Sequence, residues 1–501
     1  MGQHLLTAAQ RWPHRPWCTT PAGTVSRAEA IDRARCVAGG LSAAGLKPGD
    51  PVLVVLPNSL EFLAAWFGAI LAGLVPVAMN PRAADQEATA VLTELDARVI
   101  VAGGDTELTT SGLPDGVRVL DVASLLTGDP AAELHVDQDV RTPVTYLQSS
   151  GSTGRPKFIA HSHLAQVLAA EAFPYWLGLT DRDTMLTALP LAHGNAQIYS
   201  VLGSFGLGAQ LILLPRFSAS TFWADVNEYR ATEFNAIGAM IEILMRQEPS
   251  DLERSHRVRL CYTAPAYPQD EHLRIEDRFN LHLVLGYAQS EGGCAGMTMP
   301  LSGWAKYGSM GRPRQHPRHG DINSARIIDA TGQRLPAGEV GELELWTATP
   351  TPGYLNMPAE TEALFHDGWL RTGDLAYADE DGFYFFAGRI KEIIRHRGEN
   401  LSPAEVELAI DAHPEVSATA VIGVPSEMTE EDIKAFVVLR PGADLDAAGL
   451  RTWCEQRLPP YKRPRFYEFV EELPLTHTNK IAKHQLAKDR NANEVDVLSL
   501  S

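Results

Sequence analysis

Continuous apolar runs alternate with segments of helical spacing from Val25 to about Ser220, and this alternation restricts the fold more than any other feature. Runs such as Pro51–Leu56 and Val99–Ala102 contain no polar residue, so both faces of each predicted strand must be buried. The intervening segment Ser59–Ala72 has the apolar spacing of a helix. Buried strands that alternate with helices are typical of parallel sheets covered on both faces. We therefore predict an α/β fold.

The same alternation continues over Met185–Tyr262, which predicts two stacked α/β lobes rather than one sheet. After Gly311 the chain changes to Gly- and Pro-rich turns between alternating strands such as Gly341–Trp346, which predicts an antiparallel, β-barrel-like subdomain. A chain of 501 residues is long enough for more than one domain. We predict a large N-terminal domain at residues 1–388 that contains these three parts, and a small, mobile α+β domain at residues 389–501.

Composition and charge argue against several classes of protein. The net charge of −19 disfavours nonspecific binding to nucleic acid or to anionic membranes. The five cysteines are scattered without metal-ligand spacing, which favours buried free thiols in a reducing compartment. The first 20 residues have no apolar core of signal-peptide length, and no uninterrupted stretch of 18 apolar residues occurs. We expect a cytoplasmic protein without a membrane span or a nucleic-acid partner, either a monomer or a homodimer.

The loop Gln148–Lys157, of sequence Gln-Ser-Ser-Gly-Ser-Thr-Gly-Arg-Pro-Lys, is the most prominent candidate binding site. Gly151 and Gly154 allow the backbone to approach a ligand closely. The loop hydroxyls and successive N–H groups can hold an anion that Lys157 neutralises, which suits the β- and γ-phosphates of a nucleotide. The loop is not a Gly-x-x-x-x-Gly-Lys-Ser/Thr motif, because a proline precedes its lysine. Taken alone, it is also compatible with a solvated Ser/Gly-rich surface loop.

Four further segments carry polar residues suited to a nucleotide. Glu291 follows an apolar strand and offers carboxylate oxygens of the kind that Mg²⁺ prefers, while Tyr287 can stack on a purine. Asp374 and Arg389 stand at predicted strand ends, where a carboxylate can accept ribose hydroxyls. Lys480 lies on a turn before a predicted amphipathic helix. Each has an ordinary alternative, namely a surface glutamate, a turn aspartate and a solvated lysine.

In this order along the chain, these segments closely resemble the adenylate-forming enzymes, which include acyl-CoA synthetases, the adenylation domains of peptide synthetases and firefly luciferase. The resemblance covers nearly all of the sequence and is closest to the AMP-forming acyl-CoA ligases. One matching segment would be weak evidence, whereas eight in register are specific. The matching segments are the hydroxyl-rich loop, Leu189–His193, Thr263–Pro265, Gly286–Glu291, Arg371–Asp374, Gly388–Arg389, Gly398–Asn400 and Asn479–Lys480.

The resemblance implies a two-step reaction with ATP and Mg²⁺. A carboxylate attacks the α-phosphorus of MgATP to give an acyl-adenylate and pyrophosphate, and a thiol then displaces AMP. The resemblance implies that Lys480 joins the carboxylate to the α-phosphate and stabilises charge there. It further implies that Lys157 holds the leaving pyrophosphate and that Glu291 is the metal ligand.

The resemblance also implies that the small domain is mobile. Its hinge corresponds to Lys391, and its rotation withdraws Lys480 and brings in Arg397 and Gly398 to line the thiol tunnel. The residues that the resemblance places around ATP are Ser149, Ser150, Gly151, Ser152, Thr153, Gly154, Lys157, Thr263, Ala264, Pro265, Gly286, Tyr287, Ser290, Asp374, Arg389 and Lys480.

The acyl pocket is expected at His193, Asn235 and Gly292, although a buried, hydrogen-bonded structural role fits His193 equally well. Adenylation domains for α-amino acids carry Phe-Asp where Phe234 and Asn235 stand here, and a neutral amide leaves a substrate ammonium unpaired. We therefore favour a carboxylic acid without a free α-amine as substrate and coenzyme A as thiol. The alternatives are the phosphopantetheine of an acyl- or peptidyl-carrier protein, and a nucleotide-binding protein without ligase activity.

Overall fold

The computed structural model describes residues 1–81, 85–103, 113–131, 133–136, 138–149, 157–301, 306–396, 399–426, 431–475, 481–488 and 493–499. The chain forms two compact units. The first unit is Met1–Ala325 with Leu345–Arg371, and the second unit is Arg326–Glu344 with Thr372–Ser501. The boundary predicted at residue 388 is the expected hinge between the large and the small domain, and it stays a prediction.

The strands and helices are numbered in chain order. The strands are β1 (Pro16–Thr20), β2 (Gly23–Ser26), β3 (Pro51–Val55), β4 (Val75–Met79), β5 (Val99–Ala102), β6 (Arg118–Asp121), β7 (Pro143–Ser149), β8 (Lys157–Ser162), β9 (Thr184–Thr187), β10 (Gln210–Leu213), β11 (Glu233–Asn235), β12 (Leu260–Thr263), β13 (His282–Tyr287), β14 (Met297–Thr298), β15 (Arg312–Pro313), β16 (Asn323–Ile328), β17 (Gly341–Thr347), β18 (Phe365–His366), β19 (Trp369–Ala378), β20 (Tyr384–Arg389), β21 (Ile394–His396), β22 (Glu399–Leu401), β23 (Val416–Pro425), β24 (Glu431–Leu439), β25 (Phe466–Phe469) and β26 (Glu494–Asp496). The α-helices are α1 (Gly2–Arg11), α2 (Arg27–Ala43), α3 (Leu60–Leu71), α4 (Asp85–Leu95), α5 (Val122–Leu126), α6 (His163–Trp176), α7 (Gly203–Leu207), α8 (Phe222–Glu228), α9 (Gly238–Met245), α10 (Gln269–Phe279), α11 (Pro358–Ala363), α12 (Pro403–Asp411) and α13 (Ala447–Glu455).

The first predicted lobe is present as a four-stranded parallel sheet in the order β4-β3-β5-β6. Strands β3, β4 and β5 are short and apolar, as the sequence pattern indicates, whereas β6 is mostly exposed. The capping box of Ser26 and Glu29 starts α2, and the Ser59 hydroxyl accepts a hydrogen bond from the N–H of Phe62 at the start of α3. Almost every residue of α3 is buried, which accounts for its nearly continuous apolar sequence.

The second predicted lobe is a nine-stranded sheet in the order β15-β14-β13-β12-β11-β9-β10-β1-β2. Its middle strands, from β13 to β1, run parallel, and both edges are antiparallel. The carboxyl ends of three neighbouring parallel strands carry Asn235, Thr263 and Tyr287. Ligand sites of open α/β sheets lie beyond such strand ends. This edge of the sheet therefore positions the candidate site.

Antiparallel pairing occurs in two further sheets, the second of which lies after Gly311, where antiparallel strands were predicted. Strands β7 and β8 pair with each other as a two-stranded antiparallel ladder. Strands β16, β17, β19 and β18 follow one another in a further sheet, in which β18 and β20 both run antiparallel to β19.

The second unit contains the predicted α+β fold near the end of the chain. Its four-stranded sheet has the order β23-β24-β25-β26, in which β24 and β25 are parallel and the outer pairs are antiparallel. Helix α12 packs against β23, and α13 packs against α12. Val406, Leu450 and Tyr467 belong to the resulting core.

Two local predictions differ from the structure. The segment expected to be an α-helix near residues 196–206 begins as a π-helix, Asn195–Leu202, before α7. The amphipathic helix expected after residue 480 is wrong over residues 481–488 and 493–499, where only the 3₁₀ turns Lys483–Gln485 and Val497–Ser499 occur. Lys483 Nζ lies 2.8 Å from Glu407 Oε1 and 3.1 Å from Glu392 Oε2, so tertiary ion pairs override the helical spacing.

Within the described ranges, no helix is long and apolar enough to cross a membrane.

Candidate active site

The hydroxyl-rich loop is framed by the antiparallel pair β7 and β8. Ser149 and Lys157 are direct partners across this pair, so the two strands bring the ends of the loop together. Lys157 Nζ lies 5.2 Å from the ring centroid of Tyr354, within cation–π distance. The segment that contains Tyr354 follows β8 through the hydrogen bonds Ala160 N–H to Gly353 O and Leu355 N–H to Phe158 O, each 2.9 Å.

Tyr354 also binds the carboxylate that was predicted to hold the metal. Its hydroxyl donates a hydrogen bond to Glu291 Oε1 at 2.9 Å. Burial raises the pKa of Tyr354, and the neighbouring Glu291 carboxylate raises it further, so the phenol keeps its proton and acts as a donor. The structure thus brings together Lys157 and Glu291, which the sequence could only place 134 positions apart in the chain. Tyr354 itself was not predicted.

His161 is a second residue that the sequence analysis missed. It is 2% exposed, and its Nε2 lies 2.6 Å from the backbone oxygen of Ser290. Burial lowers the pKa of His161 to about 4, although the bond to Ser290 opposes the shift. The neutral ring therefore donates Nε2–H to Ser290 and holds the backbone next to Glu291. Its position directly after the apolar run Phe158–Ala160 was the available signal.

The segment Thr263–Pro265 lies at the end of β12, as predicted for the adenine side of the site. The peptide bond between Ala264 and Pro265 is cis, and Ala264 O accepts a hydrogen bond from Gly238 N–H at 2.8 Å. Thr263 is 1% exposed, and its Oγ1 has no hydrogen-bond partner among the described residues. A buried hydroxyl without a partner is the kind of group that a bound ligand can satisfy.

Gly286 and Tyr287 occupy the end of the next strand, β13. A Cβ atom at Gly286 would collide with the hydroxyl of Tyr262, so this glycine is required by close packing of the neighbouring strand's side chain. Gly286 is buried and Tyr287 is half-buried. Ser290 begins the following 3₁₀ turn, Ser290–Gly292.

Asn235 sits at the centre of a polar cluster at the end of β11. It is 1% exposed, and its amide nitrogen donates to Asn195 Oδ1 at 2.9 Å and to Ser200 Oγ at 3.1 Å. Its Oδ1 has no partner in the part of the chain that the structure describes. Both partners belong to the π-helix, a conformation often found at functional sites. Of the other predicted pocket residues, His193 is half-buried and Gly292 is buried.

Asp374 and Arg389 belong to the second unit and form an ion pair. They are direct partners between β19 and β20, with Arg389 Nε 3.1 Å from Asp374 Oδ1. Asp374 is 2% exposed and lies within a strand, so the expectation of a strand end holds only for Arg389. Lys391 is exposed in the 3₁₀ turn Ile390–Glu392, which follows directly.

Several predicted residues lie outside the described ranges, and their roles stay predictions. They are Ser150, Gly151, Ser152, Thr153, Gly154, Arg397, Gly398 and Lys480.

Comparison with known proteins identifies the family of the chain. A family model described as AMP-binding enzyme matches residues 5–355, and one described as AMP-binding enzyme C-terminal domain matches residues 405–480. The chain is 32% identical to the sulfoacetate–CoA ligase of Cupriavidus necator, over 96% of both proteins. It is also 32% identical to the crotonobetaine/carnitine–CoA ligase of Proteus mirabilis, over 91% of both.

A solved structure extends the comparison to three dimensions. The o-succinylbenzoate–coenzyme A synthetase of Bacillus subtilis, in complex with ATP and magnesium ion, superposes with a TM-score of 0.86 at 26% sequence identity, covering 96% of this chain and 98% of that one. The first family model matches well over half of the sequence, and the two CoA ligases match the chain over more than 90% of their length. The chain therefore belongs to the AMP-binding enzyme family and is an acid–thiol ligase of the acyl-CoA synthetase type.

Proposed function

We propose that the protein uses MgATP to convert a carboxylic acid into an acyl-adenylate and then transfers the acyl group to coenzyme A. One observation carries most of the proposal. Tyr354 holds the Glu291 carboxylate by a 2.9 Å hydrogen bond while its ring lies 5.2 Å from Lys157 Nζ. A carboxylate and a cation next to the hydroxyl-rich loop match what a metal-bound triphosphate requires.

The residues present fit ATP and Mg²⁺. The unpartnered Thr263 hydroxyl and the exposed Ala264 and Pro265 offer a surface for the base at the sheet edge. Glu291 offers carboxylate oxygen to a hard cation. The bound ion supplies Lewis-acid polarisation of phosphate oxygens and lowers the repulsion between the two anionic reactants.

The protein's own cations act on charge rather than on protons. Lys157, at the start of β8, stabilises the pyrophosphate that leaves when the carboxylate attacks the α-phosphorus. Lys480 bridges the carboxylate and the α-phosphate and so holds the reacting atoms together. Loss of one such cation costs on the order of 3–4 kcal/mol in the first step.

Asp374 and Arg389 are assigned to the ribose. In the structure their charges satisfy each other at 3.1 Å, so the ribose hydroxyls replace or share contacts of an existing ion pair. Arg389 is half exposed and Asp374 is buried, so any movement of Arg389 requires that the ribose hydroxyls take its place as hydrogen-bond donors to the Asp374 carboxylate.

Coenzyme A is the favoured thiol, and the acid lacks a free α-amine. The relatives named above are CoA ligases, which supports coenzyme A over a carrier protein. The amide nitrogen of Asn235 donates hydrogen bonds to Asn195 and Ser200, and the neutral side chain has no negative charge to pair with a substrate ammonium. Sulfoacetate and carnitine, which appear in the names of two relatives, are therefore suitable first acids for a screen.

Acid-dependent exchange of labelled pyrophosphate into ATP tests the first step, and thioester formation tests the second. We expect exchange that requires both Mg²⁺ and a suitable acid, followed by AMP release when coenzyme A is added. A phosphopantetheinylated carrier protein, assayed in parallel, should be a poor acceptor. Nucleotide binding without exchange for any acid in a broad panel would overturn the proposal, and faster transfer to the carrier would overturn the choice of thiol.

A further inference from the structure

Arg314 is a buried cation next to the candidate acyl pocket. Its residue is 2% exposed, and among the described residues no carboxylate forms an ion pair with it. Its Nε donates to Met297 O and Thr298 Oγ1, both at 3.1 Å. Its Nη1 donates to the Tyr199 hydroxyl at 2.7 Å, and its Nη2 donates to the Tyr262 hydroxyl.

The chemistry of these partners differs from that around another buried arginine of the same unit. Arg27 is 0% exposed, and its nitrogens donate to three backbone carbonyl oxygens of residues 204, 205 and 209. Carbonyl oxygens only accept, so none of these partners can donate a hydrogen bond to a ligand, and Arg27 Nη1 has no partner among the described residues. The phenols that accept from Arg314 each carry a proton that must be donated onward. Two phenols oriented by one guanidinium thus form a set of donors around a positive charge.

This cluster lies against the residues already assigned to the site. The Tyr262 hydroxyl lies so close to Gly286 that a Cβ atom there would collide with it. Tyr262 is also the direct partner of Asn235 between parallel β11 and β12, so the two side chains share one face of the sheet. On that face the π-helix supplies both Tyr199 and the partners of Asn235.

Aromatic rings surround the guanidinium rather than an empty space. Arg314 Cζ lies 4.3 Å from the ring centroid of Trp176, 5.4 Å from that of Tyr199 and 5.5 Å from that of Tyr262. Such a set of rings could otherwise receive a quaternary ammonium group. Because Arg314 already occupies this set of rings, a cationic substrate tail could not stack on them and would be repelled by the guanidinium.

We propose that Arg314, together with Tyr199 and Tyr262, selects a carboxylic acid that carries a second anionic group, such as a carboxylate or a sulfonate. This inference rests on the proposed function and specifies the class of its substrate. No carboxylate among the described residues pairs with the buried guanidinium, so the second anion supplies its counter-charge, and the phenol protons donate to that anion. Acids with an uncharged tail leave that charge uncompensated, and acids with a cationic tail add to it.

The test compares acids of matched length in the pyrophosphate-exchange and AMP-release assays. Succinate and 3-sulfopropanoate carry a second anion, butanoate an uncharged tail and 4-(trimethylammonio)butanoate a cationic tail; malonate and propanoate repeat the comparison at shorter length. For the wild-type enzyme we expect kcat/KM to be at least tenfold higher for the better dianionic acid than for its uncharged match. The cationic acid should be the poorest substrate.

Arg314→Met then separates recognition from structural support. We expect the KM of the dianionic acid to rise at least thirtyfold with little change in kcat, while kcat/KM for the uncharged match changes less than threefold. Arg27→Met, the matched loss of a buried arginine, should affect all acids by the same factor. If Arg314→Met does not fold by circular dichroism, Tyr199→Phe serves instead, with a smaller rise in KM confined to dianionic acids.

Three results would overturn the inference. They are a wild-type preference for uncharged or cationic acids, an equal loss of all acids in Arg314→Met, and an equal loss of all acids in Tyr199→Phe. In each case acid-dependent exchange would persist in the wild type, so the proposed function would stand. If no acid supported exchange, the proposed function and this inference would fail together.

Discussion

The Tyr354 hydroxyl donates a 2.9 Å hydrogen bond to Glu291 Oε1, and the same residue's ring lies 5.2 Å from Lys157 Nζ. One side chain therefore spans the candidate metal ligand and the candidate phosphate ligand. Glu291 follows the parallel strand β13, whereas Lys157 starts the antiparallel strand β8. Tyr354 fixes the distance between groups that otherwise belong to separate sheets.

Tyr354→Phe should weaken the metal-dependent first step while keeping the ring beside Lys157. A hydrogen bond to a charged group contributes about 1.5–3 kcal/mol, so we expect at least tenfold lower pyrophosphate exchange at limiting Mg²⁺. High Mg²⁺ should restore part of the rate, because the variant retains the carboxylate. Titrations of exchange against Mg²⁺ measure this effect. Tyr175→Phe, at a residue that is 56% exposed, should leave the titration unchanged; an unchanged titration in Tyr354→Phe would contradict the role given to the hydroxyl.

Lys480→Ala should strongly slow acid activation but spare the transfer of a preformed acyl group. Removing a cation that stabilises developing charge costs on the order of 3–4 kcal/mol, so exchange should fall by a factor of a hundred or more. Thioester formation from synthetic acyl-adenylate and coenzyme A should stay within a few-fold of wild type. Lys488→Ala, at an exposed lysine in the same terminal segment, is the matched control. Wild-type exchange in Lys480→Ala would remove this lysine from the mechanism.

Much of the fold follows from sequence pattern because buried parallel strands leave a strong signal. β3 and β5 lie within one residue of the predicted runs, since strands that are buried on both faces must be continuously apolar. The pairing of β1 with β10 could not be predicted in the same way. That pairing joins Cys18 to Leu211, and no local pattern specifies a partner so distant in sequence.

Sequence analysis identified the motif residues of the candidate site but not the residues that support them. Glu291 and Lys157 stand out because carboxylates and lysines next to glycine-rich turns suggest chemistry. Tyr354, His161 and Arg314 act through tertiary contacts, and in sequence a tyrosine or histidine among apolar residues usually indicates core packing. Arg314 is identified by its burial together with its two phenol partners, Tyr199 and Tyr262, and that combination exists only in the folded chain.

Stability should decrease as the pH falls from about 6.5 to about 4 because His161 is buried in its neutral form. Its folded-state pKa of about 4 lies below the ordinary 6.5, so the unfolded chain binds the proton first and gains free energy as the pH falls. The full difference is about 3 kcal/mol between neutral pH and pH 4. Above pH 7 this contribution should be complete and constant.

His161→Gln tests that assignment, since the amide can still donate to Ser290 O without titrating. Chemical unfolding at a series of pH values should give a shallower loss of stability for the variant between pH 6.5 and 4. His135→Gln removes a histidine outside this cluster and should retain the wild-type slope. Parallel curves for His161→Gln and wild type would show that His161 does not carry the pH dependence.

Lys391→Pro should separate the two half-reactions if Lys391 is the hinge of the small domain. Proline fixes φ near −65° and restricts the backbone of the preceding residue, Ile390, so rotation at this turn is lost. Lys391 is exposed in the turn Ile390–Glu392, so its side chain contributes little packing. We expect one half-reaction to remain near the wild-type rate and the other to fall at least tenfold, because the two steps require different positions of the small domain. Lys391→Ala keeps backbone freedom and should perform both steps. Pyrophosphate exchange and thioester formation from synthetic acyl-adenylate measure the two steps separately. If both rates in Lys391→Pro stay at the wild-type value, or if both fall by the same factor, Lys391 is not the hinge.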